Sequence, residues 1–166
     1  LIQLLINLHT NWDGSVTVLS SMAEVGMGGH SMLQNIVHEV LGVAKNRIRI
    51  SLTATDYCPN SGPTVATRGA LMPGNACKRA AEPIKDEYGV IAEERLGVPV
   101  HTLIFKYEKI MDPDNPVNFI TYNEAVKINH SRANSGYGHG WFTVDDLVWD
   151  SAKGNGDAYL CYVYGA

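Results

Sequence analysis

The chain has little charge, and its cationic residues are scattered. Charged residues make up 18% of 166 positions, and 13 Lys and Arg against 17 Asp and Glu give a formal net charge of −4. The absence of a Lys or Arg run argues against nucleic acid as a partner. No apolar segment approaches the roughly 20 residues of a membrane span, and positions 1–8 lack the features of a signal peptide. The sparse charge favours a globular protein whose surface is partly covered by other subunits.

Cysteine is scarce as well. Cys58, Cys77 and Cys161 lie far apart and form no C-x-x-C pair. This spacing argues against a zinc or iron–sulfur site built from them. Three buried thiols are typical of a reducing compartment, so we expect a cytoplasmic protein.

Familiar catalytic motifs are also missing. The sequence contains no G-x-G-x-x-G fingerprint, no Gly-Lys-Ser/Thr P-loop and no H-E-x-x-H pair. It also lacks the local pattern of a serine nucleophile elbow. Dinucleotide-binding, P-loop and zinc-protease functions are therefore not expected.

The first forty residues predict a hairpin followed by a helix. The turn sequence at 11–14 lies between apolar runs at 4–8 and 16–19, which is typical of a β-hairpin. Apolar residues then recur at helical spacing from 32 to 41 and stop at Gly42.

The middle of the chain predicts a long loop and a helix. Positions 53–67 are irregular, and a loop of that length is usually functional or poorly ordered. A helix is predicted over 67–88, where Pro73 and Pro83 indicate a kink or a later start. A continuation as a short helix that ends at Gly97 is predicted over 90–96.

The second half predicts short strands around one helix. A turn is expected at 112–116, a helix at 122–129 and a loop or irregular strand at 133–141. Further strands are predicted at 47–52, 101–110, 117–121 and 159–164. The pattern predicts the α+β class, with mixed sheet hairpins and packed helices. We expect a first α+β lobe over 1–100 and a strand-rich part over 101–166.

Two loops precede helix starts. The glycine loop, residues 24–29, has three glycines in four positions, which expose backbone N–H groups and permit positive φ. The threonine loop, residues 61–69, also opens a helix, although Thr64 or Thr67 could simply cap it. Either loop alone is usually an ordinary turn. Together they favour one extended anionic ligand of phosphate or pterin type.

Other polar groups have two interpretations each. Glu24 is either a catalytic carboxylate or an acceptor of backbone hydrogen bonds that fixes the loop. Positions 138–140, Gly-His-Gly, either line an aromatic pocket with Trp141 and Phe142 or form a solvent-facing turn, which is the favoured interpretation.

The chain resembles a known family at several points in order. Positions 14–18 (G-S-V-T-V) and 24–29 (E-V-G-M-G-G) resemble the D-G-S-V and E-M-G-Q-G motifs of the molybdenum hydroxylases. This is the xanthine dehydrogenase and aldehyde oxidase type, in the molybdopterin-binding region of its catalytic subunit. Positions 55–67, 131–137 and 162–166 are similar to later stretches of that region, so the resemblance covers nearly the whole chain.

The resemblance implies a cofactor and its contacts. The cofactor would be molybdopterin, in the cytosine dinucleotide form, with molybdenum. The implied cofactor-binding residues are Gly26, Met27 and Gly28 in the glycine loop and Val65, Ala66, Thr67 and Gly69 in the threonine loop. No catalytic residue or metal ligand of this chain is implied.

The sequence departs from the family in two ways. Met27 stands where the family has glutamine, so a thioether, a weak acceptor and no donor, replaces an amide. The family's catalytic glutamate in G-x-G-E and its iron–sulfur cysteines have no counterpart here. Both ends of the chain are strand-like. The resemblance therefore implies the middle of a catalytic subunit, or a small subunit of a split enzyme.

The implied function is a reaction of the assembly. The assembly would hydroxylate an N-heterocyclic aromatic compound of purine or nicotinate type, or an aldehyde, with water as the oxygen source. The implied partners are another molybdopterin-binding chain or domain, an iron–sulfur subunit and an FAD-containing flavin subunit, and the isolated chain would be inactive. The alternatives are a cofactor-free structural or assembly module of the same fold and an aromatic acyl-thioester reductase of the same family.

Overall fold

The computed structural model describes residues 3–54, 56–59, 62–65, 68–144 and 149–156. Over these ranges the chain has the predicted α+β fold. Its three α-helices are α1 (Gly29–Leu41), α2 (Arg68–Leu96) and α3 (Tyr122–Ser131). Its strands are β1 (Gln3–Thr10), β2 (Val16–Leu19), β3 (Ile48–Ile50), β4 (Ile104–Lys106), β5 (Lys109–Met111), β6 (Phe119–Thr121), β7 (Tyr137–Thr143), β8 (Trp149–Asp150) and β9 (Asn155–Gly156).

A mixed four-stranded sheet in the order β3-β2-β1-β7 forms the base of the fold. The predicted hairpin is confirmed: β1 and β2 pair antiparallel, and Gly14 turns the chain at φ 80°. β3 joins β2 in parallel, and β7 joins β1 in antiparallel register. The sheet thus takes strands from distant parts of the sequence.

The core lies between this sheet and the helices. Alternate side chains of β1 and β2 are buried, which is the period expected for a strand with one covered face. Helix α2 packs on β1 and β7, and α1 packs on α2 and β3. The predicted end of α1 is confirmed, because Gly42 adopts φ 69° and its N–H donates to the His38 carbonyl.

Helix α2 differs from its prediction. It is one helix of 29 residues that continues through Pro73 and Pro83, and the short helix predicted at 90–96 is its last two turns. Each proline removes one backbone donor. The buried side of α2, which includes Ala76, Ala80 and Ile84, explains why packing prevails over this local cost.

The strand predicted at 101–110 is instead part of a hairpin. β4 and β5 pair antiparallel, and Tyr107 and Glu108 form the two-residue turn between them at φ 56° and 57°. Two positive φ values are typical of the I′ turn, which usually carries Asn and Gly. Neither residue signals a turn, so the sequence could not reveal it.

The segment at 137–143 is a strand and not a solvent-facing turn. Gly138 and Gly140 lie directly beneath α2, where an added Cβ would be 1.8 Å from the carbonyl oxygens of Ala80 and Ala76 respectively. Only glycine permits this approach of strand backbone to helix backbone. The two glycines therefore set the distance between α2 and the sheet.

The remaining elements are small. β4, β5 and β6 form a three-stranded antiparallel sheet, and the predicted helix at 122–129 is confirmed as α3, with a capping box between Thr121 and Glu124. None of the helices within the described ranges is both long and apolar enough to cross a membrane. The strand predicted at 159–164, the family-like stretch 162–166 and Cys161 lie outside the described residues.

Candidate functional site

The glycine loop links β2 to α1 and lies on the surface. Gly26 and Gly28 adopt φ 100° and 76°, so both positions favour glycine because of their backbone conformation. A Cβ built on either would have no described atom within 4 Å. Met27 between them is 48% exposed. The outer side of this backbone is therefore open to a ligand.

The exposed side chain of Glu24 holds the loop through hydrogen bonds. Its Oε1 accepts the backbone N–H groups of Gly26 at 2.8 Å and Gly28 at 3.1 Å, and its Oε2 accepts that of His30 at 3.1 Å. These bonds, from His30 first and then Gly26, hold the pKa of Glu24 below its ordinary value. The interpretation of Glu24 as the acceptor that fixes the loop is confirmed.

This arrangement changes what the loop can bind. Two of its donors, which the sequence suggested would be free for an anion, and the N–H of the following His30 already serve the chain's own carboxylate. The negative charge also sits at the positive end of α1, where it satisfies the helix dipole. The glycine loop thus has an open backbone surface but carries its own anion.

The threonine loop lies beside the glycine loop. The side chain of Thr64 bonds outside its own loop: its Oγ1 accepts the backbone N–H of Ala23 at 3.0 Å. Gly62 turns at φ 67° next to the guanidinium of Arg68, which donates to the Pro63 carbonyl at 2.7 Å. A cation and the first turn of α2 therefore occur together, which favours negative charge there.

Met22 fills the space between the two helix starts. Its side chain is 2% exposed. A Cβ on Gly29 would lie 2.2 Å from the Met22 Cε, and one on Gly69 would lie 3.8 Å from the same atom. The Met22 carbonyl is within 3.2 Å of the Nε2 of His30 and accepts the Thr53 hydroxyl at 3.2 Å. The starts of α1 and α2 are thus packed against one shared side chain.

The predicted site residues are partly placed by the structure. Gly26, Met27 and Gly28 form the open backbone surface, Val65 is 54% exposed, and Gly69 lies in the first turn of α2. Ala66 and Thr67 lie outside the described residues. Within the described ranges no cluster of three or more His, Cys, Asp or Glu side chains is placed to hold a metal ion.

Sequence reasoning missed one residue and one hydrogen bond that organise the site. Met22 gave no signal, because one apolar residue after a strand is compatible with many positions. The bond between Ala23 and Thr64 joins segments 41 residues apart, and nothing local in either segment indicates the pairing.

Comparison with known proteins gives a family match. The family model for the molybdopterin cofactor-binding domain matches residues 3–166. Xanthine dehydrogenase 1 of Arabidopsis thaliana is 27% identical over 159 residues, which is 96% of this chain and 10% of that protein. A probable xanthine dehydrogenase subunit of Bacillus subtilis is 30% identical over 120 residues, which is 72% of this chain and 16% of that protein.

A solved structure supports the fold. Quinoline 2-oxidoreductase from Pseudomonas putida 86 superposes with a TM-score of 0.76 at 18% identity, over 87% of this chain and 19% of that one. The chain spans about a tenth of the length of the first curated relatives that it matches.

Proposed function

Because this chain belongs to the molybdopterin cofactor-binding domain family, we propose that its two loops bind one molybdopterin between them. The proposed contacts are Gly26, Met27 and Gly28 in the glycine loop and Val65, Ala66, Thr67 and Gly69 in the threonine loop. The observation that carries the proposal is the hydrogen bond from Ala23 to Thr64, supported by Met22, which brings the two loops together.

The residues present fit the two chemical parts of such a cofactor. A flat pterin can approach Gly26 and Gly28, since nothing in the described chain occupies the space in front of them. A phosphate is disfavoured there, because Glu24 already bonds the N–H groups of Gly26, Gly28 and the adjacent His30. The start of α2 and the guanidinium of Arg68 suit the phosphate. We therefore assign the ring to the glycine loop and the phosphate to the threonine loop.

The finer form of the cofactor and the assembly are part of the same proposal. We assign the cytosine dinucleotide form, with iron–sulfur clusters and FAD on partner subunits or domains and a second molybdopterin-binding chain or domain completing the site. The name of the Bacillus subtilis relative, a subunit, supports an assembly of several chains. Free, buried Cys58 and Cys77 support a reducing cytoplasmic location.

The proposed activity belongs to the whole protein. When bound, the molybdenum cofactor supplies two-electron oxidation chemistry to the assembly. The proposed substrate is an N-heterocyclic aromatic compound of purine or nicotinate type, or an aldehyde, and water is the oxygen source. The names xanthine dehydrogenase and quinoline 2-oxidoreductase among the similar proteins support the heterocycle. The part assigned to this chain is to bind and orient the cofactor.

A cofactor-free scaffold of the same fold is the second candidate. Met27 favours it, because its thioether lacks the donor that an amide would offer a polar group of the cofactor. Metal and pterin analysis of the purified protein separates the two candidates. The scaffold predicts that neither is present, and the binding function predicts both in equal amounts.

The variant that tests the binding function is Gly28→Val. A valine side chain would occupy the open space in front of the loop, so we expect molybdenum and pterin content to fall to background. The matched control is Gly154→Val, because Gly154 also has a positive φ (64°) and no described atom within 4 Å of a Cβ. Unchanged metal content in Gly28→Val, or equal losses in both variants, would contradict the assignment.

A further inference from the structure

The carboxylate of Glu24 accepts hydrogen bonds from alternate residues of the glycine loop and of the start of α1. Oε1 bonds the N–H groups of Gly26 and Gly28, and Oε2 bonds that of His30. Glu24 and Met27 are both exposed, and the space in front of Gly26 and Gly28 stays open.

These bonds constrain a segment that has little else to hold it. No described atom lies within 4 Å of a Cβ built at Gly26 or Gly28, so packing does not hold them in place. Glycine also loses more conformational entropy on ordering than any other residue. Hydrogen bonds to a charged acceptor are stronger than those to a neutral one. A carboxylate that receives three of them therefore fixes a backbone that would otherwise sample many shapes.

The same carboxylate determines which charge the segment accepts. Helix α1 has no acidic residue in its first turn and no side-chain cap from Gly28. Glu24 supplies the negative charge that the start of α1 attracts. A phosphate approaching this point would meet a like charge and donors that are already bonded.

We propose that Glu24 is a positioning residue: it fixes the backbone of Gly26 and Gly28 for the ring part of the cofactor and excludes phosphate from the start of α1. The first half of this inference, that Glu24 fixes the backbone, concerns the chain alone; the second half, the effect of that fixed backbone on cofactor binding, rests on the proposed function. In this role Glu24 acts through the backbone of the loop.

Hydrogen exchange of the backbone amides tests the first half. In the purified protein that carries this chain, Glu24→Ala should accelerate exchange of the Gly26, Gly28 and His30 amides about tenfold. Glu24→Gln keeps one oxygen but turns an NH₂ group toward the remaining donor. It should therefore preserve protection at Gly26 and Gly28 and lose it at His30.

The control for both variants is Glu39→Ala. Glu39 is exposed on α1, away from the glycine loop. This variant should exchange like the wild type. Equal exchange in Glu24→Ala and Glu39→Ala would overturn the inference. A uniform increase across α1 and α2 in Glu24→Ala would also overturn it, because the effect would then be global.

Cofactor retention tests the second half. Fluorescent pterin released on denaturation is measured per mole of protein after extended dialysis. The expected order of retention is wild type, then Glu24→Gln, then Glu24→Ala, with Glu39→Ala equal to the wild type. Full retention by Glu24→Ala, with pterin present in the wild type, overturns the inference and leaves the proposed function standing. A wild type without pterin refutes the proposed function and the cofactor part of the inference, whatever the exchange data show.

Discussion

The contact between β7 and α2 gives a sharp prediction for Gly140→Ala. A Cβ at Gly140 would lie 1.8 Å from the carbonyl oxygen of Ala76 and 2.6 Å from the backbone nitrogen of Ala80. Both opposing atoms belong to the helix backbone, so no rotamer change can relieve the overlap. The strand and the helix would have to separate.

The size of the effect follows from these distances. To restore a contact of about 3.5 Å, strand and helix must move apart by roughly 1.7 Å, and a gap of even half that size removes a large part of the dispersion energy at the interface. Overpacking typically costs about 1–3 kcal/mol. Since no side chain can move aside here, we expect Gly140→Ala to cost about 3 kcal/mol or more.

Hydrogen exchange is the suitable assay, because it reports on α2 and β7 inside a larger protein. A cost of about 3 kcal/mol should accelerate exchange of the protected amides in both elements by roughly two orders of magnitude. Gly138→Ala should act alike, since its Cβ would also lie 1.8 Å from a helix carbonyl. The control is Gly74→Ala, whose nearest neighbour is the Ile36 Cδ1 at 3.4 Å; a gain in helix propensity should leave it neutral or slightly stabilised. Equal exchange in Gly140→Ala and Gly74→Ala would refute the reasoning.

Two further predictions concern the helix starts. Met22→Ala removes the buried side chain that α1 and α2 share. It should destabilise the protein by about 3 kcal/mol and accelerate hydrogen exchange at both helix starts. Met27→Ala, at a half-exposed position, is the control, and equal effects of the two variants would contradict the packing role of Met22. The hydrogen bonds from Thr121 hold the pKa of Glu124 below its ordinary value. The stabilisation of α3 by ionised Glu124 is therefore fully present above the unfolded-state pKa, and it is lost as the pH falls through the folded-state pKa. Acid titration followed by exchange in α3 should show this loss and Glu124→Gln should abolish it; an unchanged titration in that variant would contradict the assignment.

Elements with strong local signals were predictable from the sequence. The turn at 11–14 predicted the hairpin of β1 and β2, and the spacing of apolar residues predicted α1 up to Gly42. The start of α3 also has a local cause, in the capping box of Thr121 and Glu124. In each case the information lies within a few residues.

Elements that depend on distant contacts were not predictable. Gly138 and Gly140 looked like turn residues, because their function in packing becomes visible only when α2 lies above them. The continuity of α2 through Pro83 and the turn at Tyr107 and Glu108 likewise go against local propensity and depend on packing. The site divides in the same way: glycine spacing indicated the glycine loop, whereas Met22 required the fold.

The hydrogen bond between Ala23 and Thr64 couples the free energy of ordering one loop to that of ordering the other. Any molecule that orders one loop reduces the entropy cost of ordering the other, and thermodynamic linkage makes this coupling reciprocal. A substitution at Thr64 should therefore be felt by whatever rests on the backbone of Gly26, although the two residues are 38 positions apart in the sequence.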